Sequence, residues 1–400
     1  MSDSSLIDPV SASLQTPRER AAGTGLSIDT KDVAINAWRG IAALLVAYFH
    51  CRQITWVGMQ QFHKSATGFD LNALFSYLTL PIAWGSAGVP IFFVISGYCI
   101  HRGTARKLLA NPAAPFDTRN FLMRRFARIY PVLLAALLLT LALDTFSLRF
   151  TPVSPKINPV DLHAFMVNLL SLQGVAGKTF GSNGALWTLS IEVQFYLVYP
   201  LLLAARRKLG MKAVLLGVAL INVASAFVFE RHEIVLFASY WFSWTLGAWI
   251  AEAKVASAGA TKLADGSKGS KGSLKLQLAA VVLAASGCVA FKFGQYGAFQ
   301  LWALAFAAYL FQALDRPMRN SLPVRGFSWL GEFSFSLYVV HLPIFIFLGS
   351  LLFRSALQTA IWPSFAFMIV PVVAALGFYW LVERPAMKWS AGFAPRGRPG

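Results

Sequence analysis

The feature that most constrains this chain is the recurrence of apolar stretches, each close to twenty residues long and bounded by basic or turn-forming residues. About 20 residues of helix cross a ~30 Å hydrocarbon core. Ten stretches approach that length: 34–50, 80–101, 129–147, 187–204, 212–229, 234–251, 275–292, 297–314, 331–353 and 361–381. Only 13% of the residues are charged and 56% are hydrophobic, whereas a soluble domain carries about 25% charged residues. In lipid, each backbone N–H and C=O must be satisfied inside its own helix or a closed barrel. Long apolar runs without alternation select the helix. The expected fold is all-α, a polytopic membrane protein of about ten transmembrane helices. Segment 160–173 is apolar on one side only and reads as an interfacial or re-entrant piece.

The formal net charge of +18 would suit a nucleic-acid partner if it were gathered on one face. Instead the Lys and Arg residues lie in short runs between the apolar segments, so no nucleic acid is expected. With the N-terminus inside, roughly 26 of them fall on the cytoplasmic side and about 8 outside, the bias of the positive-inside rule. Both termini are then cytoplasmic, and Arg39 alone remains within a span. Residues 1–33 are polar, lack the apolar core of a signal peptide and read as a disordered cytoplasmic arm. Residues 34–389 read as the transmembrane domain, with a flexible Gly/Ser/Lys linker near 252–275 and a cytoplasmic tail over 390–400. Cys51, Cys99 and Cys288 have no metal-ligand spacing, so neither a metal nor a disulfide framework is expected.

Polar residues inside these spans are the candidates for chemistry, because an ionisable group at membrane depth is costly. In NAWRGIAALLVAYFH, Arg39 and His50 stand eleven residues apart, almost three turns, and so share a helix face about 16 Å apart along the axis. SAGVPIFFVISGYCIH has Gly88, Ser96 and Gly97, small enough to let a helix or ligand approach the backbone. FLMRRFARIYP sets Arg124, Arg125 and Arg128 at spacings that share a face, and guanidinium forks suit phosphate or lipid headgroups. In LWTLSIEVQFYLVYP, Thr188, Glu192, Tyr196 and Tyr199 form one polar stripe, with Glu192 expected near the outer face. His341 in SFSLYVVHLPIF is expected near mid-membrane. Imidazoles titrate close to neutrality, so His50 and His341 suit proton transfer. A proton-coupled transporter would use such groups too, but it predicts internal symmetry between halves, and none is evident. A membrane scaffold is a further reading, one that would not depend on His50.

In order along the chain come R-x10-H (Arg39, His50), GVPIFFVISGY, Arg125/Arg128 before Ile-Tyr-Pro, LWTLSIEVQFYLVYP, SFSLYVVHLPI and VERPAMK. Together they resemble acyltransferase family 3, the bacterial membrane-bound O-acyltransferases, across about residues 32 to 389. Tyr98 and Val193 stand where Phe and a second Glu are common, which leaves the acidic role to Glu192. The resemblance implies a multi-pass protein of the bacterial inner (plasma) membrane. It implies transfer of an acyl group, usually acetyl from acetyl-CoA, to a hydroxyl of a surface or exported glycan or lipid-linked oligosaccharide. Succinyl transfer to a periplasmic glucan is a related alternative. Arg125 and Arg128, with Arg124, would meet the phosphates of CoA, and Arg39 would hold CoA or lock the helix. His50 would act as general base or be acylated transiently; Glu192 would orient or recharge a histidine or bind the sugar; His341 would handle protons or contact substrate. Many relatives carry an added extracytoplasmic esterase-like domain. None is visible here, so polysaccharide-assembly proteins would be possible partners.

Overall fold

The computed structural model describes residues 30–65, 68–263, 274–316 and 321–393. Most of the expected arm, the core of the linker and the end of the tail lie outside the described residues. The rest is helical, with two isolated bridges and no strand among the described residues. In chain order the α-helices are α1 (Thr30–Thr55), α2 (Met59–Ser65), α3 (Leu71–Leu78), α4 (Gly88–Ala110), α5 (Thr118–Ser147), α6 (Leu162–Leu169), α7 (Trp187–Leu209) and α8 (Met211–Val228). They continue with α9 (Trp241–Leu263), α10 (Leu274–Ala290), α11 (Gln295–Ala313), α12 (Leu322–Glu332), α13 (Ser334–Phe353), α14 (Trp362–Phe378) and α15 (Arg384–Gly392).

Each of the ten expected spans contains a helix, and among the described residues seven helical segments are long and apolar enough to cross a membrane. The other three are α9, α10 and α11. Helix α9 carries Glu252 and Lys254 on buried or half-buried side chains, α10 has 17 residues, and α11 carries Gln300 and Gln312. Their polar groups point inward to partners: Lys254 pairs with Asp315 at 2.6 Å and Gln300 bonds the Ser239 carbonyl at 3.0 Å. Segment 160–173 contains only the short α6, capped by Asp161, in the connection between α5 and α7.

Two departures from the sequence reading bear on the site. Helix α5 starts at Thr118, where Asp117 caps the Asn120 N–H at 2.9 Å, eleven residues before the expected entry at 129. Its arginines therefore lie within the helical span, and Arg39 is not alone there. Helix α12 was not expected. Its apolar side is short and interrupted by Arg325 and Gly326, so it carries no span-length signal.

Backbone contact, rather than side-chain interdigitation, sets the key helix pairs. A Cβ on Gly97 would lie 1.9 Å from the Trp244 carbonyl oxygen, and one on Gly247 would lie 1.9 Å from that of Val94. These reciprocal contacts draw α4 against α9, as small residues do between membrane helices. At the base of α1, a Cβ on Gly40 would meet the Phe327 carbonyl oxygen at 2.1 Å, and one on Gly331 would meet that of Asn36 at 1.9 Å. Gly247→Ala is expected to cost about 1–3 kcal/mol, the usual range for overpacking. A lowered melting temperature in detergent would register it; an unchanged one would mean the helices separate freely.

Candidate active site

Helices α1, α4, α5, α7 and α13 enclose a cavity of about 140 Å³. Three guanidinium groups line it: Arg39 from α1 and Arg125 and Arg128 from α5. Glu192, Thr188 and Tyr196 from α7, Ser96 and Cys99 from α4, and Tyr338 from α13 complete its polar wall, with Phe92 and Phe93 on the apolar side. Glu192 is held from two directions. Its Oε1 accepts from Tyr196 one turn along α7 and from Ser96 at 3.2 Å, and Ser96 in turn accepts from the Trp244 indole at 3.3 Å. Arg125 lies over the rings of Phe121 and Tyr196, 5.4 and 5.7 Å from their centroids, and its buried Nε has no hydrogen-bond partner among the described residues. Three cations stand against one carboxylate, one of them with an orphan donor, an excess of positive charge that suits an anion. A buried donor without a partner carries a penalty that an anion would remove.

The expected placements divide here. Arg39, Arg125, Arg128 and Glu192 are brought together. The sequence places Glu192 near the outer face with the arginines below it; the early start of α5 carries Arg125 and Arg128 up to line the same cavity. Arg124 does not line the cavity, and its carbonyl accepts from Ser390 of α15 at 2.7 Å. Of the small residues in α4, Gly97 serves helix packing and Ser96 faces the cavity.

His50 and His341 are also brought together, as a pair just beyond the cavity wall. His50 Nδ1 lies 2.9 Å from His341 Nε2, and the rings are 17° from parallel. His341 is fully buried whereas His50 is half-buried. The other nitrogen of His341, Nδ1, lies 3.1 Å from the Leu337 carbonyl. A carbonyl only accepts, so Nδ1 carries the hydrogen, and in the neutral ring Nε2 is then the acceptor. His50 must therefore donate through Nδ1, which leaves the lone pair on its Nε2. One backbone carbonyl thus sets the tautomer of both rings, and the outcome is an imidazole with a free basic nitrogen backed by an orienting partner.

The helix carrying His341 is fitted to this task. Pro343 lacks an N–H, so the Val339 carbonyl one turn back loses its helical partner. Asn183 supplies the replacement, donating through Nδ2 at 2.9 Å. Tyr338 links pair and cavity: it lines the cavity, its hydroxyl bonds Thr188 at 2.9 Å, and its ring centroid is 5.8 Å from that of His341.

Sequence reasoning missed three features. Tyr338 lay inside a quoted motif but shows only as one more aromatic. Glu383 is a buried carboxylate in VERPAMK, 1% exposed. A network in which fully buried His101 bonds Tyr199 and Glu252, both at 2.9 Å, and Glu252 pairs with Arg206 at 2.6 Å ties α4, α7 and α9 together. Their partners are 47 or more positions away in sequence, save Arg206 and Glu252, so no local pattern points to them. Among the described residues no group of three or more potential ligands is arranged to hold a metal.

A family model described as an acyltransferase domain matches residues 32–382. An uncharacterized protein of Haemophilus influenzae (strain ATCC 51907 / DSM 11121 / KW20 / Rd) is 31% identical over 118 residues, covering 28% of this chain and 47% of that protein. The match thus spans about half the length of that curated relative. No solved structure matches.

Proposed function

The chain belongs to the acyltransferase domain family, and from that premise we propose that it transfers acetyl from acetyl-CoA to a hydroxyl of a cell-surface or exported glycan, in the bacterial inner membrane. The observation that carries this reading is the adjacency of a three-arginine cavity and a histidine pair with one free basic nitrogen, Tyr338 standing between them. A polyphosphate donor needs the first and an attacking hydroxyl needs the second.

The cavity, at about 140 Å³, is smaller than the ~300–1,000 Å³ of a pocket enclosing a whole ligand. It therefore takes part of the donor, while the nucleotide end stays outside it. Arg39, Arg125 and Arg128 neutralise phosphate charge and hold the thioester arm in line with Tyr338. The acceptor oxygen attacks the thioester carbonyl carbon and its proton passes to His50 Nε2. The carbon–sulfur bond then breaks and the departing thiolate takes that proton, so no base is consumed. His341 keeps His50 in the productive tautomer and adds an acceptor to the imidazolium formed midway. Glu192 anchors the cavity wall through Ser96 and Tyr196 and offsets part of the arginine charge.

The test is thiol release from acetyl-CoA by the purified protein in lipid nanodiscs, with and without a surface-glycan extract. Release that rises with glycan is the expected result. Release of nothing from acetyl-CoA, by a protein that still binds glycan, would overturn the choice of donor.

A further inference from the structure

The C-terminal end of α14 does not continue as an α-helix. Residues Tyr379–Glu383 form a single π turn before α15 begins at Arg384. Such a turn inserts one extra residue and swings the following side chains around the axis, and it is frequent at functional sites. Here the swing delivers Glu383 into the interior, 1% exposed, against the start of α13. Its Oε2 accepts two hydrogen bonds from one residue: the Ser336 N–H at 3.0 Å and the Ser336 hydroxyl at 2.6 Å. Its Oε1 is buried with no partner among the described residues.

Ser336 is the third residue of α13, so its N–H belongs to the first turn, where no intrahelical acceptor exists. The chain arrives there through a break at Phe333, with φ −112° and ψ 19°, so α12 does not dictate the rotation of α13. No side chain of the preceding residue caps the helix. The acceptor comes from another helix, 47 residues away in sequence. A carboxylate is also the favourable charge for a helix N-terminus. Five residues further on, the same helix presents His341 to His50 across 2.9 Å. A rotation of about 10° on a helix whose side chains reach a radius of ~5–6 Å moves that ring by roughly 1 Å. A misplacement of about 1 Å is enough to cost about 10²-fold in rate.

We propose that Glu383 is a positioning residue of the reaction centre: through Ser336 it fixes the first turn of α13 and thereby the register of His341 against His50. The proposal rests on the reading of that histidine pair as the reacting one.

The test uses the full chain in nanodiscs, labelled with 15N-histidine, in wild-type, Glu383→Ala, Glu383→Gln and Ser336→Ala forms. Its probes are the hydrogen-bonded imidazole N–H resonance of the pair, assigned by its loss in His341→Ala, and thiol release from acetyl-CoA. Glu383→Ala is expected to shift or erase that resonance and to lower kcat about 10²-fold with the KM for acetyl-CoA unchanged. Glu383→Gln keeps a carbonyl oxygen that accepts both bonds and is expected to restore resonance and rate together. Ser336→Ala keeps the N–H bond and is expected to fall between them; with Gln it carries the test if the Ala form fails to accumulate. An unchanged resonance in Glu383→Ala, or in Ser336→Ala where that form carries the test, would overturn the proposal. So would equal losses in Gln and Ala, which would make charge rather than hydrogen bonding the operative property. A resonance that responds as expected in a protein that never releases thiol would leave the positioning role standing and remove the acyl-transfer reading.

Discussion

Replacement of His50 by alanine is expected to lower acyl transfer by about 10²–10⁴-fold, the range for loss of a positioned general base. Affinity for acetyl-CoA should not change, because His50 stands outside the cavity that the arginines line. The fall should appear in kcat. His341→Ala is expected to give a smaller loss in kcat with a changed pH profile. Without the Nε2 acceptor, nothing holds the proton on His50 Nδ1, and the tautomer with the lone pair on the wrong nitrogen becomes populated. The two effects should not add, since both act through one imidazole. A double variant no slower than His50→Ala is the expected result; an additive one would mean that the histidines act separately. Rapid quench with labelled acetyl-CoA and no acceptor separates base from nucleophile, because only a nucleophilic His50 would retain label on the protein.

The second large effect belongs to Arg125 and Arg128. A hydrogen bond to a charged group contributes about 1.5–3 kcal/mol, so either arginine replaced by alanine should weaken donor binding by about 10- to 100-fold. Arg125 should matter more for its burial: its Nε is an orphan donor without the ligand, and its guanidinium stacks on Phe121 and Tyr196. Lysine cannot reproduce that planar stack or the forked pair of bonds. Arg125→Lys should therefore recover little, and Arg128→Lys more. Titration with acetyl-CoA and with free CoA should show the same loss for both, since the phosphates are common to both. A loss confined to acetyl-CoA would place the arginines at the thioester instead. Arg124→Ala should change binding least, because that side chain does not line the cavity.

What the sequence made legible was whatever repeats along a single helix. Three of the four residues in the polar stripe, Thr188, Glu192 and Tyr196, line the cavity, while the fourth, Tyr199, bonds His101 instead; Arg39 lines the cavity and His50 meets His341 beyond it. The apolar segments located the helices because hydrophobicity and length are local properties. The true start of α5 was hidden because its first turns are basic, and a hydropathy reading trims such turns although the helix continues through them. The meeting of Glu192 with the arginines depended on that start. Partnerships across the bundle had no local signature at all. Glu383 with Ser336, Asn183 with the carbonyl freed by Pro343, and His101 with Glu252 each join residues brought near only by packing. The π turn that aims Glu383 inward has no hydrophobic period of its own.

The most direct test of the account is transfer of isotope-labelled acetyl from acetyl-CoA into surface glycan in inverted and right-side-out membrane vesicles, with wild-type protein and His50→Ala at equal levels. Label in glycan is expected when acetyl-CoA is supplied to the cytoplasmic face, almost none when it is supplied only to the other face, and almost none with His50→Ala. Equal labelling by wild type and His50→Ala would contradict it.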